Sequence, residues 1–519
     1  MLKIKSLSQN KLFLAFACGA FFSLAFAPFH FFVAAIISLS AFYFLLEKND
    51  DKKSNFWLGF FYGFGYFLSG IYWVAISLLV EEQFFWLIPF ALTLIPSALA
   101  LYFAGFALTY KFVVRRFGLN YSYQKILIFA FFWLVFEVFR SNLFTGFPWN
   151  LVGYIWLFDV RFAQLAGVFG IYGLSFFAVL ISLFPVLFFK KNEEKISISS
   201  KVFAVFLAIF FVANFLYGNF VIDEKKLIRD ESVKLRLVQG NIEQKMKWDA
   251  LQKYQNFLKH IELTNSKSLD DISAVIWSET AVPYEIDDNI ELLEKLSLAT
   301  PKEGSLITGA LRINYFDSQK SEISNAWNSV FVLNKNGVSA TYDKHHLVPF
   351  GEYIPLQRYF SFIEKITDGN VGFSEGSGAK TIESQKFSFS PLICYEVIFS
   401  DEILDKKSRP DLLINLTNDA WFGKSSGPYQ HLDISKMRSI EYGISMARVA
   451  NTGITAFIDP FGRIVKQINL NEASIIDVVL IKNLFPNVYE KYGHFPLIII
   501  LIAMILLLII LKKASNVAR

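Results

Sequence analysis

Residues 388–399 read Ser-Phe-Ser-Pro-Leu-Ile-Cys-Tyr-Glu-Val-Ile-Phe, and the reading of the whole chain turns on them. With Phe387 ahead of it, the stretch alternates in large part (Phe387, Phe389, then Leu392 and Ile393), which predicts a half-buried strand ending at Cys394. A sulfur at a strand end is presented on the turn into the next element, a usual place for a nucleophile. The chain has 2 cysteines, and the other, Cys18, lies inside a long apolar run. A disulfide framework is therefore not expected, and Cys394 should carry a free thiol. A cysteine taken alone is more often a small buried hydrophobe, so its surroundings decide.

The chain has 519 residues, is 54% hydrophobic and contains 58 phenylalanines, more apolar surface than a soluble domain needs. Residues 12–219 are mostly apolar, 233–485 have ordinary soluble composition, and 495–511 are apolar again. The expected fold is a polytopic α-helical membrane bundle carrying one large extramembrane α/β domain. Its expected divisions are a membrane domain at 1–219, a globular domain at 220–485, and a terminal helix and tail at 486–519. A membrane-crossing helix takes about 20 apolar residues, and the candidate spans are 12–27, 31–46, 56–80, 84–110, 126–144, 162–189, 202–217 and 495–511, about eight in all. Only Pro28, Phe29 and His30 separate the first two. No small-residue cleavage site precedes a polar mature start, so no cleaved signal peptide is expected.

The net charge of +5 is small for such a chain, and the positive residues flank the apolar runs, a pattern that suits topology and not nucleic-acid binding. Lys3, Lys5 and Lys11 precede the first run; Lys48, Lys52 and Lys53 follow the second; Lys111, Arg115, Arg116 and Lys125 the fourth; Lys190, Lys191, Lys195 and Lys201 the sixth; Lys512, Lys513 and Arg519 the last. The odd-numbered connections, including Glu81 to Gln83, carry almost no Lys or Arg. The positive-inside rule then puts both termini in the cytoplasm and residues 220–494 outside. Within the bundle, Glu137 and Arg140 sit three residues apart near the outer end of the fifth run, before a loop that includes Trp149. Charges at that depth are costly unless paired or facing a cavity, so either a functional site or an interfacial ion pair beside an aromatic belt fits them.

In the globular region, strand-like runs occupy 234–239, 274–277, 305–310, 329–333, 339–342, 387–393, 412–416, 453–458 and 475–480, with Asn336-Gly337 as a hairpin turn. Amphipathic helices are expected at 251–263 and about 430–446. Three runs end on chemistry: 274–279 at Glu279, 339–344 at Lys344, and 387–394 at Cys394. An acid, a cation and a nucleophile form a workable covalent-catalysis set. Glu279 could take the thiol proton and return it to an amine, while Lys344 stays cationic beside the thiolate and the developing oxyanion.

The contexts Trp277-Ser-Glu279, Tyr342-Asp-Lys344-His-His-Leu-Val-Pro-Phe-Gly-Glu352-Tyr and Ile393-Cys394-Tyr-Glu396 resemble the Glu-Lys-Cys nitrilase superfamily. The stretch 344–355, set between membrane spans, resembles the apolipoprotein N-acyltransferases in particular. Further matches are Val238-Gln-Gly-Asn-Ile with Trp248-Asp249, Ala326-Trp-Asn328, the block 416–423, the block 447–453, and Glu137 to Arg140 with 145–149. The resemblance implies a nitrilase-like αββα sandwich, with Cys394 as nucleophile, Glu279 as general base and Lys344 as stabiliser of the tetrahedral intermediate. It makes Glu352 an additional carboxylate near the site, flanks the nucleophile with Tyr395 and Glu396, puts Trp248 on a mobile arm over the mouth, and gives Asn328, Glu137, Arg140 and Trp149 supporting places.

The implied reaction takes an acyl chain from a membrane phospholipid, typically phosphatidylethanolamine, and passes it through a thioester to the N-terminal S-diacylglyceryl cysteine of an apolipoprotein. The protein would act as a monomer in the bacterial inner membrane, with no nucleic acid, metal or cofactor. His345 and His346 lack a ligand cluster and read as local hydrogen-bonding residues. The rivals are a membrane-tethered amidase that uses the same three residues with water, a transporter or receptor whose outer domain only binds, and a cysteine peptidase with a histidine base.

Overall fold

In a computed structural model the described residues are 2–80, 82–189, 197–287, 289–317, 322–355, 372–483 and 486–517. Among the charges used for topology, Glu81, Lys190, Lys191, Lys195 and Arg519 lie outside them, as do the side chains of Lys3, Lys5, Lys512 and Lys513. The chain divides into two compact units. One comprises Met1–Tyr72, Ile88–Asp223 and Pro486–Arg519; the other comprises Trp73–Leu87 and Glu224–Phe485.

The first unit is helical, with helices Leu2–Phe22, Phe32–Glu47, Lys52–Gly70, Ile88–Arg116, Ser122–Asn142, Ala166–Ser182, Ile198–Val221 and Phe495–Val517. About eight crossings are expected; among the described residues, four stretches meet the length and apolarity a membrane demands: Glu82–Arg116, Ser122–Asn142, Ala166–Phe188 and Ile198–Val221. Asn10–Ala25, Phe32–Glu47 and Phe495–Ile510 are apolar but shorter. The runs 12–27 and 31–46 fall on separate helices.

The third run departs from its expected course over 56–80. Its helix stops at Gly70, whose carbonyl accepts from Asn150 Nδ2 at 3.0 Å. Only a single turn, Val74–Ser77, and a 3-10 stretch, Glu82–Leu87, follow. Residues from Trp73 to Leu87 pack within the second unit, where the buried Trp73 ring lies 4.4 Å from that of Phe422 and its Nε1 donates to Gln430 Oε1 at 3.1 Å. Hydropathy reads these residues as span because an aromatic buried in protein and one in lipid look alike.

The second unit is built on two six-stranded sheets. The first has the order β12-β1-β2-β3-β4-β5, with β1 Leu227–Gln239, β2 Ala274–Ile276, β3 Ser305–Tyr315, β4 Ile323–Asn334, β5 Gly337–Asp343 and β12 Ser474–Asn483. The second has the order β11-β10-β9-β8-β7-β6, with β6 Ile382–Glu383, β7 Ser388–Ile393, β8 Leu412–Thr417, β9 Met446–Ala450, β10 Thr455–Ile458 and β11 Ile464–Ile468. The centres, β1-β2-β3 and β7-β8-β9, are parallel and the flanks antiparallel. Successive side chains point to opposite faces of a strand, and that period separates two cores. Leu235 and Leu237 of β1 with Val330 and Val332 of β4 meet Phe389, Ile393, Ile414, Leu416 and Val449 of the other sheet. Val238, Phe331 and Leu333 turn the other way, toward Phe257 and Ile261 of the helix Lys253–Thr264 and Leu292 and Leu296 of the helix Ile290–Ser297. The result is the nitrilase-like layered fold.

Two expectations change. The helix expected at about 430–446 is Gly427–Tyr442, ended by Gly443 in the left-handed conformation at φ +61° that closes helices well. The residues beyond it form β9, a buried strand the pattern missed because Arg448 interrupts its apolar run. β11 also went unread, since four of its five residues are exposed.

Leu235 is fully buried between the sheets, whereas Leu251 is 86% exposed. Leu235→Ala is expected to lower unfolding stability by about 2–5 kcal/mol, followed by urea unfolding of the purified protein. Leu251→Ala should stay within about 0.5 kcal/mol.

Candidate active site

Glu279, Lys344 and Cys394 each follow a strand of the two-sheet unit. β2 continues through Trp277, whose N–H donates to Ile307 O at 2.9 Å, and turns at Glu279 and Thr280. Thr280 has φ +44°, an outlying conformation for a β-branched residue. β3 passes close beneath this corner at Gly309, where a Cβ would stand 2.3 Å from Thr280 N. Lys344 comes one residue after β5, its N–H on Asn328 O at 2.9 Å. Cys394 comes one residue after β7, opening the 3-10 turn Cys394–Ile398 with φ +50°.

These side chains meet in a buried cluster of charge. Lys344 Nζ lies 2.9 Å from Glu352 Oε1. Asn328 Nδ2 joins the carboxylates, 2.7 Å from Glu279 Oε1 and 3.3 Å from Glu352 Oε1, and Glu352 Oε2 accepts Val348 N–H at 2.8 Å. Glu279, Lys344 and Cys394 are near enough to shift one another's protonation. Burial pushes the Cys394 thiol up to about 12, assisted by Glu279 and opposed by Lys344. Burial likewise raises Glu279, against Lys344, while Glu352 raises it further. Burial alone would lower Lys344, but Glu352, Glu279 and Cys394 outweigh it and hold the ammonium well above its usual range. The resting set is a neutral thiol, a cationic lysine and a carboxyl group tuned to accept a proton.

The backbone at Cys394 is held separately. The Cys394 carbonyl faces His431 Nε2 at 3.3 Å and Asn415 Nδ2 at 3.5 Å. Arg448 anchors both, donating Nη1 to Asn415 Oδ1 at 2.7 Å and Nη2 to Asp419 Oδ2 at 2.5 Å, and Asp419 Oδ1 lies 2.9 Å from His431 Nδ1. All of these side chains are buried. On the other side, Glu396 Oε2 accepts Ile393 N–H at 2.6 Å, and its Oε1 accepts Tyr342 OH at 2.9 Å and His345 N–H at 2.7 Å. His345 Nδ1 also lies 2.7 Å from Glu396 Oε1. Burial would lower the His345 imidazolium, but Glu396 and Glu402 lift it to about 10. His346 Nδ1 meets Glu402 Oε2 at 2.8 Å, and its ring stacks on Phe399 at 3.5 Å.

The sequence-derived residues therefore separate. Glu279, Lys344, Cys394, Asn328 and Glu352 converge, and Glu396 buttresses the strand that ends at Cys394. Tyr395 is half-buried and packs edge-on to Phe399 at 5.1 Å. Trp248 is half-buried directly after the helical turn Gln244–Lys247. Glu137, Arg140 and Trp149 belong to the helical unit. There Glu137 Oε1 accepts Val152 N–H at 2.8 Å, and Arg140 donates to Phe147 O and, at 2.8 Å, to Trp149 O. Both ionisable groups are thus engaged with the backbone of the loop after their helix. Sequence reasoning missed Lys247, Asn415, His431 and Arg448 as individual residues, although Arg448 lies in a block already quoted. Among the described residues no group of three or more His, Cys, Asp or Glu is placed to hold a metal.

Comparison with known proteins adds to this geometry. Residues 18–184 match the family model described as the apolipoprotein N-acyltransferase N-terminal domain, and residues 234–482 match carbon-nitrogen hydrolase. The chain is 38% identical over 501 residues to the apolipoprotein N-acyltransferase of Rickettsia bellii, covering 95% of this chain and 96% of that one. It is 37% identical to the Rickettsia typhi protein of that name, covering 94% and 96%. Against the Rhodopseudomonas palustris protein of that name it is 33% identical, covering 96% and 95%.

Removing one partner of a buried ion pair leaves an uncompensated charge, so Arg448→Met is expected to cost about 3–5 kcal/mol in urea unfolding. The surviving folded fraction should alkylate Cys394 more slowly with iodoacetamide, because the carbonyl clamp has lost its anchor. Wild-type stability in Arg448→Met would remove the anchoring role.

Proposed function

The chain belongs to the apolipoprotein N-acyltransferase family, and on that premise we propose that it N-acylates lipoproteins through a thioester on Cys394 in the bacterial inner membrane. Cys394 Sγ attacks an ester carbonyl of a membrane phospholipid, with phosphatidylethanolamine as donor, while Glu279 takes the thiol proton. The S–C bond forms, the ester C–O bond breaks, and the proton passes from Glu279 to the departing oxygen, releasing a lysophospholipid. The α-amine of an S-diacylglyceryl cysteine then attacks the thioester. The C–N bond forms, the C–S bond breaks, and Glu279 carries the amine proton back to the sulfur. Lys344 balances the oxyanion in both steps, where preorganised charge is worth most.

The observation that carries this reading is the convergence of a buried acid and a buried ammonium on a half-buried thiol, each beyond a strand end. Asn328 and Glu352 hold the acid and the ammonium, Tyr395 and Glu396 flank the nucleophile, and Trp248 lies on an arm over the mouth. In the helical unit, Glu137, Arg140 and Trp149 shape the loop on the lipid access side. The charge alternation supports cytoplasmic termini with the catalytic domain of residues 220–485 outside, between a membrane domain at 1–219 and a terminal segment at 486–519. The protein acts as a monomer.

Intact mass spectrometry of protein purified from membranes should find a fatty acyl adduct on Cys394 that is absent from Cys394→Ser. Glu279→Ala should slow acylation by about 10²–10⁴-fold, and Lys344→Ala by about 10²–10³-fold. Cleavage of a small amide without lysophospholipid release would favour hydrolysis of a carbon-nitrogen bond instead.

A further inference from the structure

Lys247 is a second buried lysine beside the site, and the two-step reaction above leaves it without a task. It closes the helical turn Gln244–Lys247, and its Nζ donates to the backbone carbonyl of Glu279 at 2.9 Å. That carbonyl belongs to the corner where Thr280 takes φ +44° and Gly309 passes closely below. Backbone strain of this kind persists only where the surroundings over-determine it, and a buried carbonyl turned out of a ladder needs a donor. The ammonium supplies both.

We propose that Lys247 is a positioning residue for the general base: by fastening the Glu279 carbonyl it fixes the corner that aims the carboxylate, and its charge steadies negative charge passing between that carboxylate and Cys394. The inference rests on the roles given to Glu279 and Cys394 above. The titratable groups facing Lys247 are Glu279 after β2, Cys394 after β7, and His260 on the helix Lys253–Thr264. Burial pulls Lys247 down to about 8 while Glu279 and Cys394 oppose that fall, and burial pulls His260 down to about 4, leaving it neutral around pH 7. The Lys247 cation is therefore present below about pH 8 and lost above it. Burial opposes this charge, so a neutral side chain of similar length recovers the lysine's desolvation while leaving the Glu279 carbonyl without its donor, at a cost to the fold's stability. A small cavity lined by Lys247, His260, Ser278 and Thr280 gives such a side chain room to settle.

The test is single-turnover acylation of Cys394 in the full-length protein, embedded in phosphatidylethanolamine-containing vesicles and read by intact mass from about pH 6 to about 9.5. Lys247→Met is expected to acylate at least about tenfold more slowly at pH 7, with the donor concentration for half-maximal rate unchanged. The wild-type rate should fall as pH rises through about 8, whereas Lys247→Arg, which stays charged, should keep its rate there. Lys247→Met within about twofold of wild type throughout, or Lys247→Arg with the wild-type alkaline fall, overturns the inference. Should Lys247→Met lose its unfolding transition, Lys247→Arg decides alone. A wild-type protein that forms no Cys394 adduct overturns the acyl-transfer reading and this inference together; normal wild-type acylation matched by Lys247→Met overturns this inference only.

Discussion

A cysteine at φ +50° brings its Cβ against the following carbonyl oxygen, which costs a non-glycine residue about 1–2 kcal/mol. Cys394 keeps that conformation because His431 and Asn415 hold its carbonyl and Glu396 holds the N–H of the residue before it. These bonds to the backbone, together with the packing of Cys394 against the core between the sheets, set the sulfur's direction. His431 and Asn415 are in turn tied to Arg448, so the elbow depends on one guanidinium in the middle of β9. A bidentate fork suits this place better than an ammonium would, because Arg448 must serve Asn415 and Asp419 at once.

The charged groups on the opposite strands are arranged around a different need. A buried ammonium is retained only where opposite charge repays its lost hydration, and Lys344 finds this in Glu352 at 2.9 Å. Glu352 is itself fixed by the Val348 N–H, which holds its carboxylate in place against Lys344. Asn328 presents one amide nitrogen to both carboxylates and keeps them apart in direction while tying them together in position. Two carboxylates at one ammonium thereby acquire distinct hydrogen-bonding environments, and burial pushes Glu279 up.

The layered fold was legible in the sequence wherever side chains alternate between two apolar environments, as along β1 and β4. The ends of β2, β5 and β7 were legible too, because Glu279, Lys344 and Cys394 stop apolar runs. What escaped was polar chemistry inside apolar surroundings. Arg448 and His431 are fully buried, yet a charged or titratable residue reads as a surface group until its partner is known, and Asp419 lies 29 residues from Arg448 in the chain. Lys247 was hidden for the same reason, since its acceptor is a backbone carbonyl and no sequence pattern marks one. The break after Gly70 was obscured by the opposite ambiguity, an apolar run that leaves the helical unit to pack Trp73 inside protein.

The protonation pattern bears on how the proposed first step would occur in this site. Below about pH 8 Lys247 is cationic and the thiol neutral, and the net charge of the cluster is the sum over its members. Passing the thiol proton to Glu279 moves negative charge onto the sulfur without changing that sum. In a medium of low dielectric, such a displacement is far cheaper than creating a net charge, since no new ion must be desolvated. A thiol pushed up to about 12 is for this reason compatible with a nucleophile: the free thiolate need never accumulate, because the proton can leave as the S–C bond forms. A resting thiolate would also be the form most open to oxidation, and keeping the proton on sulfur until an ester carbonyl is within reach removes that exposure.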